Sequence, residues 1–299
     1  MQGFKLNKAS VFLKKLKDYR PLPTFKKYCA VLTFGIDRDI IVTFKKMYIP
    51  TEVFWTMKYN FIRFKEVDST NNEAKKYASE GGSLPALILS ESQSEGRGRL
   101  GRNFYSSDNK GVYITVVMKA PCDNAFLRIT AVSAVCVVEA IKELFGISTE
   151  IKWVNDIFYK EKKVGGILAE SFFVEGERYV AVGFGINLYT QLPAELRDIA
   201  ISLFPEYPDS YTLNMQRDAL ANLITEKLLA AIENDRYVEY MKKYRSLSCI
   251  IGRDITFVEN GCDYNGTALD INDEGALAVK LDNGSMHYLS SGEISIKKF

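Results

Sequence analysis

Gly96-Arg97-Gly98-Arg99-Leu100-Gly101-Arg102-Asn103-Phe104 places three glycines and three arginines within nine residues. Glycine lets a backbone turn sharply and approach a ligand closely. Arginine presents five N–H donors in a flat fork that matches carboxylate and phosphate oxygens. A loop with both suits a small anion that is covered and later released. Read alone, the same composition also describes a solvated basic surface loop.

The flanks supply the frame. Upstream, Ala86–Ser90 reads as a short buried strand that delivers Glu91, Ser92 and Gln93 into the loop. Before it, Phe61–Val67 reads as a strand, followed by Asp68-Ser69-Thr70-Asn71-Asn72-Glu73. Thr70 and Glu73 have capping-box spacing, which predicts a helix from there to Gly81-Gly82, its free N–H groups forming an anion site. Simple capping is the competing reading of Ser69 and Thr70.

Downstream, Val112–Met118 is a strand, and residues 125–145 carry apolar positions near the 3.6 period up to Gly146, which predicts one helix. Glu150–Val154 reads as a strand ending at Asn155-Asp156. Residues 157–187 read as an antiparallel run, with Gly165-Gly166 and Gly183/Gly185 where a ligand could lie against bare backbone. Helices are expected at about 212–233 and 235–246. Residues 250–298 then break into short strands punctuated by Asn260-Gly261, Glu274-Gly275 and Asn283-Gly284, the pattern of a small SH3-like barrel.

The totals are those of a globular chain. Its 299 residues allow two or three domains; 47% are hydrophobic and 25% charged. The net charge of +2 is unevenly spread: residues 1–65 carry 14 Lys/Arg against 4 Asp/Glu, leaving 25 against 33 in the remainder. That asymmetry fits either a nucleic-acid-binding arm or a basic surface. Val11, Leu13 and Leu16 suggest a short helix, and 28–34 and 39–44 a pair of strands about Gly35–Asp37, so no helix-turn-helix is read there. Met57 could open a chain in its own right, making 1–56 an appendage. No run of 18 apolar residues points to a membrane span. Five scattered cysteines without a CxxC pair fit reduced thiols in a cytoplasm. The single histidine, His287, excludes a multi-histidine metal site and a mid-chain Ser-His-Asp triad.

Taken together, the motifs resemble the biotin protein ligase family. Gly96–Arg102 is similar to its Gly-Arg-Gly-Arg-x-Gly-Arg loop, and Lys152-Trp153-Val154-Asn155-Asp156 to its Lys-Trp-Pro-Asn-Asp segment. Lys163–Leu168 and Gly183–Asn187 match two more, with Ser69-Thr70-Asn71 and Gln93 in the expected order. Two positions depart: Val154 stands for proline, and Phe104 for a frequent tryptophan. The resemblance spans about residues 61–298. It implies an α+β fold: a mixed, largely antiparallel sheet with flanking helices, class II synthetase-like, plus the small C-terminal SH3-like β-barrel. The expected divisions are 1–56 as a basic extension, 57–248 as a catalytic domain and 249–299 as the SH3-like domain.

The resemblance also implies a reaction. Family members form biotinyl-5′-AMP from biotin and ATP, then pass the biotinyl group to one lysine of a biotin carboxyl carrier protein, as in acetyl-CoA carboxylase or a related carboxylase. By position, Lys163, Arg99, Lys152 and Asp156 would be catalytic. Ser69, Thr70, Asn71, Gln93, Arg97, Gly98, Arg99, Lys163 and Gly166 would hold biotin. Arg97, Arg99, Arg102, Lys152, Asn155, Lys163 and Asn187 would hold ATP or the adenylate, and Asp156 would help place Mg²⁺. Trp153 is expected in the core. A lipoate ligase and a biotin-responsive DNA-binding repressor are the alternatives. The strand-like 28–49 stretch argues against DNA as a partner, and an exposed sheet edge leaves a homodimer open.

Overall fold

In the computed structural model the described residues are 28–34, 40–46, 58–106, 109–120, 126–259 and 261–297. The chain divides into two compact units, Met1–Lys58 and Tyr59–Phe299. In the first, β1 (Tyr28–Phe34) pairs antiparallel with β2 (Ile40–Lys46), Val31 opposite Thr43. The helix expected around Val11–Leu16 and the turn at Gly35–Asp37 lie outside the described residues.

The second unit starts as a strand–helix–strand crossover. β3 (Asn60–Val67), α1 (Thr70–Ser79) and β4 (Ala86–Gln93) return the chain so that β3 and β4 pair in parallel. β5 (Val112–Lys119) follows, then α2 (Phe126–Phe145), β6 (Glu150–Lys152), β7 (Asp156–Tyr159), β8 (Lys162–Val174) and β9 (Glu177–Ile186). They form one seven-stranded sheet in the order β3-β4-β5-β9-β8-β7-β6, antiparallel at every pairing but the first. β5 is buried from Val112 to Met118, because α1 and the later α3 (Ser210–Glu233) both pack on it. Under α1, Ala74 and Ala78 sit on Ala86, Ile88, Val117 and Ala181, small residues that let the helix approach the sheet.

α3 begins earlier than its apolar pattern indicates, because the Asp209 carboxylate accepts from the N–H groups of Tyr211 (2.9 Å) and Thr212 (3.0 Å). α4 (Tyr237–Ser246) follows a turn at Asp235, and both helices pack on α2. The chain ends in a five-stranded antiparallel sheet: β10 (Asp254–Glu259), β11 (Cys262–Ile271), β12 (Leu277–Leu281), β13 (Met286–Leu289) and β14 (Ile294–Ile296), in the order β13-β12-β11-β10-β14. Gly275 and Gly284 take positive φ at its turns, as their sequence signals indicate. The fold class read from the sequence therefore holds: a mixed sheet with helices and a small all-β C-terminal part. Among the described residues no helix is long and apolar enough to cross a membrane.

Candidate active site

The site lies on the α1 side of the large sheet. Directly paired residues share a face. The pairings Val117↔Ala181, Thr115↔Gly183, Leu168↔Gly183, Gly166↔Gly185 and Asp156↔Gly166 therefore extend the face that carries α1 towards β7. Glycines keep that face open. A Cβ on Gly183 would fall 2.3 Å from Asn71 Oδ1, and one on Gly185 2.5 Å from the Phe104 ring. Bare backbone at these two points lets the start of α1 and the aromatic of the Gly/Arg loop lie on the sheet. Gly183→Ala is thus expected to destabilise the fold by about 1–3 kcal/mol, the usual range for overpacking. Denaturant midpoints would show it; an unchanged midpoint would mean that Asn71 moves aside freely.

Lys163 reaches this face through an irregularity. β7 pairs Asp156↔Gly166 and Ile157↔Gly165, then skips a residue to Phe158↔Lys163. A bulge of this kind reverses the alternation and re-aims a side chain. Without it, Lys163 would share the face of Gly165. Instead its Nζ lies 2.7 Å from Asp156 Oδ1, both side chains being partly buried. Its backbone is fixed on the other side: Lys163 N–H donates to Ile199 O at 3.0 Å, and its carbonyl accepts from Ile201 N–H at 2.9 Å. A Cβ on Gly166 would come within 3.4 Å of that Nζ, so glycine there leaves the ammonium room.

Lys152 and Asn155 come from the β6–β7 turn. The expected strand through Val154 ends at Lys152, and Trp153–Asn155 form the turn. Trp153 is buried and donates Nε1–H to Gly275 O at 2.9 Å, while Tyr244 O–H donates to Val154 O at 2.8 Å. Trp153 is a core residue, as expected. Lys152 lies over the Phe158 ring at 5.4 Å, and burial lowers its amine's pKa, partly offset by Asp156.

The loop is tied at several points. Gly98 N–H donates to Arg102 O at 2.7 Å, and Phe104 N–H to Gly96 O at 2.8 Å. Arg99 Nη1 donates to Asn155 Oδ1 at 3.2 Å, and Asn155 Nδ2 donates to Ile167 O at 2.8 Å. Burial lowers the pKa of Arg99, with Asp156 and Glu293 opposing. Arg97 Nη1 donates to Asn72 Oδ1 at 3.1 Å, and its Nη2 lies 3.5 Å from Glu170. Arg102 pairs with Glu293 on the segment before β14, so the C-terminal sheet closes one side of the site.

Two expectations at the start of α1 are corrected. The N-cap is Ser69, not Thr70, and its side chain makes no capping bond; Glu73 N–H donates only to Ser69 O. The helix N-terminus is also not wholly free: Ser69 N–H donates to Asp68 Oδ1 at 2.6 Å and Thr70 N–H to Gln93 Oε1 at 2.8 Å, so the chain's own oxygens take its first two N–H groups. Gln93 Nε2 in turn donates to Ser106 Oγ at 3.2 Å. Asn187 is buried at the end of β9, with Nδ2 on Ile201 O at 3.3 Å and Oδ1 without a hydrogen-bond partner among the described residues.

Every residue to which the resemblance gives a site role lines one cleft of about 590 Å³: Ser69, Thr70, Asn71, Gln93, Arg97, Gly98, Arg99, Arg102, Lys152, Asn155, Asp156, Lys163, Gly166 and Asn187; Gly165 does not line it. Glu293, Leu196, Ile199 and Ala200 line it too and carried no sequence signal. The cleft is cationic along Arg99, Lys152 and Lys163, and neutral and polar around Thr70, Asn71 and Gln93. It can hold an anion beside a group that needs both donors and acceptors.

Known proteins are similar to this chain in sequence and in fold. Residues 63–187 match the Biotin/lipoate A/B protein ligase family, and residues 250–297 the Biotin protein ligase C terminal domain. The Bifunctional ligase/repressor BirA of Bacillus subtilis (strain 168) is 31% identical over 249 residues, spanning 79% of this chain and 73% of the relative. The Biotin--[acetyl-CoA-carboxylase] ligase of Mycobacterium tuberculosis is 28% identical over 239 residues, 77% of this chain and 86% of the relative. Among solved structures, the biotin protein ligase from Aquifex aeolicus in complex with biotin and ATP aligns with a TM-score of 0.66 at 27% identity, covering 80% of this chain and 99% of the other.

Proposed function

The chain belongs to the biotin/lipoate A/B protein ligase family, and from that premise we propose that it makes biotinyl-5′-AMP from biotin and ATP and biotinylates one lysine of a biotin carboxyl carrier protein. The observation that carries this reading is the meeting of Lys163, Lys152 and the Arg97–Arg102 loop in one cleft with a neutral polar end. The carrier would belong to acetyl-CoA carboxylase or a related carboxylase, the partner named for the Mycobacterium relative.

In the first step a biotin carboxylate oxygen attacks the α-phosphorus, and the bond to the β-phosphate breaks as pyrophosphate leaves. Both reactants are anions, so the site must offset their repulsion and hold them in line. Lys163, a compact point charge, would leave Asp156 for the biotin carboxylate and α-phosphate. Lys152 and Asn155 would face the triphosphate and ribose, with Asn187 and Arg102 on the nucleotide side. A partly buried ammonium such as Lys152 is poorly hydrated and gains more from an arriving phosphate than an exposed one. Ser69, Thr70, Asn71 and Gln93 would read the ureido ring, and Arg97, Gly98 and Arg99 would cover ligand and adenylate.

Mg²⁺ fits this site only as a companion of the nucleotide. Among the described residues no group of three or more His, Cys, Asp or Glu could hold a metal ion. Mg²⁺ commonly takes one or two carboxylates beside substrate phosphates and keeps several waters. Asp156 would hold it directly or through water, and the ion would supply charge neutralisation at the phosphates. In the transfer step the carrier lysine must be neutral to attack the acyl carbon as AMP leaves; Asp156 or the adenylate phosphate would take its proton.

Residues 57–248 are assigned to catalysis, 249–299 to the SH3-like part and 1–56 to a basic extension, in a cytoplasmic protein able to pair through a sheet edge. DNA is not proposed as a partner, on the strand-like reading of residues 28–49, where β1 and β2 pair antiparallel. Mass spectrometry after incubation with biotin, Mg-ATP and a carrier domain tests the reading. One biotinyl group on a single carrier lysine is expected. Gain of a lipoyl group but no biotinyl group would replace the reading with lipoate ligation, and salt-dependent binding to a duplex would add a DNA partner.

A further inference from the structure

Behind the cleft wall stand two residues that no step above uses, Glu170 on β8 and Thr115 on β5; neither lines the cleft. Glu170 Oε2 accepts from Asn71 Nδ2 at 2.7 Å, while Oε1 lies 3.0 Å from Lys75 Nζ and 3.5 Å from Arg97 Nη2. Burial by itself would raise the Glu170 carboxyl, but Asn71, Lys75 and Arg97 hold it below its ordinary value. It is therefore a carboxylate at neutral pH, and a carboxylate only accepts.

That fixes Asn71 and its neighbour. Asn71 turns its NH₂ to Glu170 at 2.7 Å and, at the longer distance of 3.3 Å, to Leu168 O, so its carbonyl oxygen faces the Thr115 hydroxyl at 2.6 Å. Thr115 has one proton for two acceptors, Asn71 Oδ1 and Thr70 Oγ1 at 2.9 Å. With Asn71 Oδ1 turned towards it at the shorter distance, that proton goes to Asn71. Gln93 Oε1 lies 3.1 Å from Thr70 Oγ1 and receives Thr70 N–H at 2.8 Å, and that backbone donor holds it as an acceptor whatever stands at 170. The Gln93 NH₂ therefore points to Ser106. If the residue at 170 could donate as well as accept, the Asn71 amide would lose its shortest fixed acceptor, and the Thr115 proton could turn from Asn71 to Thr70 Oγ1.

We propose that Glu170 is a positioning residue that sets the amide orientation of Asn71 and, through it, the Thr115 hydroxyl, and so decides which groups that end of the cleft offers to the acid substrate. This rests on the biotin ligase reading. The ureido group it concerns distinguishes donors from acceptors, whereas ATP lies on the other side of the site.

The test is adenylate formation with biotin and ATP varied in turn, on wild type, Glu170→Gln, Thr115→Val and Lys75→Met. Glu170→Gln keeps the shape but can donate; Thr115→Val keeps the shape but cuts the chain. Both are expected to raise the KM for biotin roughly 10- to 100-fold, the span for a mismatched buried polar group, with the KM for ATP within about two-fold. Lys75→Met removes a partly buried neighbouring charge and leaves the carboxylate with its bond to Asn71, so biotin KM should stay within about three-fold. Thr115→Val stands alone as the test should Glu170→Gln fail to fold. An unchanged biotin KM in Thr115→Val, a parallel rise in both KM values, or an equal effect of Lys75→Met overturns the inference. A wild-type protein that forms no adenylate from biotin overturns the parent reading, and this inference with it.

Discussion

Lys163→Ala should lose adenylate formation by about 10³-fold or more while the protein stays folded. Removing one preorganised donor aimed at developing charge costs about 10²–10³ in rate, and Lys163 carries a full charge where two anions must meet. The folded state has little at stake. The Lys163–Asp156 pair is 35% and 24% exposed at its side chains, and such pairs contribute about 0–1 kcal/mol. The backbone of residue 163 is held by Ile199 and Ile201 whatever its side chain. The melting temperature should therefore move little. Lys163→Arg should recover little activity, because the planar fork is larger than the ammonium and the space beside Gly166 is tight: a Cβ there would already lie 3.3 Å from Lys163 Cε. Pyrophosphate exchange, which reads the first step alone, is the measurement. Near-wild-type exchange by Lys163→Ala would remove this residue from the chemistry.

How much of this site can be read from the chain depends on whether a residue's role is local. The Gly/Arg loop, the Gly183/Gly185 alternation and the Asn-Gly turns of the last five strands act within a few residues, and the sequence shows them. Lys163 is visible only through the Gly-Gly-Ile-Leu after it. What brings it to the correct face is a one-residue slip against β7, and no pattern in β8 announces that slip. Glu170 and Thr115 look like ordinary strand residues. Their partners lie far off in the chain: Asn71 is 99 residues from Glu170 and 44 from Thr115. The start of α1 misleads for the opposite reason. Its Thr70–Glu73 spacing suggests a capping box with every N–H beyond it free, but Ser69 is the N-cap and Gln93, 23 residues on, supplies the oxygen that takes Thr70 N–H. Tertiary partners outcompete the local cap.

Arg99→Gly should leave the enzyme able to form the adenylate but unable to keep it, so that lysines of unrelated proteins become labelled. Arg99 is the side chain of the loop that bonds to the β6–β7 turn: its Nη1 donates to Asn155 Oδ1, and Asn155 is itself pinned to Ile167 O. A hydrogen bond from a charged donor contributes about 1.5–3 kcal/mol. Losing it, together with any contact to the adenylate phosphate, should speed adenylate release by roughly 10- to 100-fold. Glycine adds freedom to a backbone that already turns through positive φ at Leu100 and Gly101. The other side-chain ties do not replace it: Arg102 and Glu293 are 69% and 41% exposed, and a pair in that much water holds a loop weakly, while Arg97 bonds to Asn72 and Glu170 and not to the β6–β7 turn. Chasing preformed labelled adenylate from the variant, with a carrier domain in one arm and an unrelated lysine-rich protein in the other, separates release from transfer. Fast loss and indiscriminate labelling are expected. Adenylate that stays bound as long as in wild type would show that the loop is held shut by something other than Arg99.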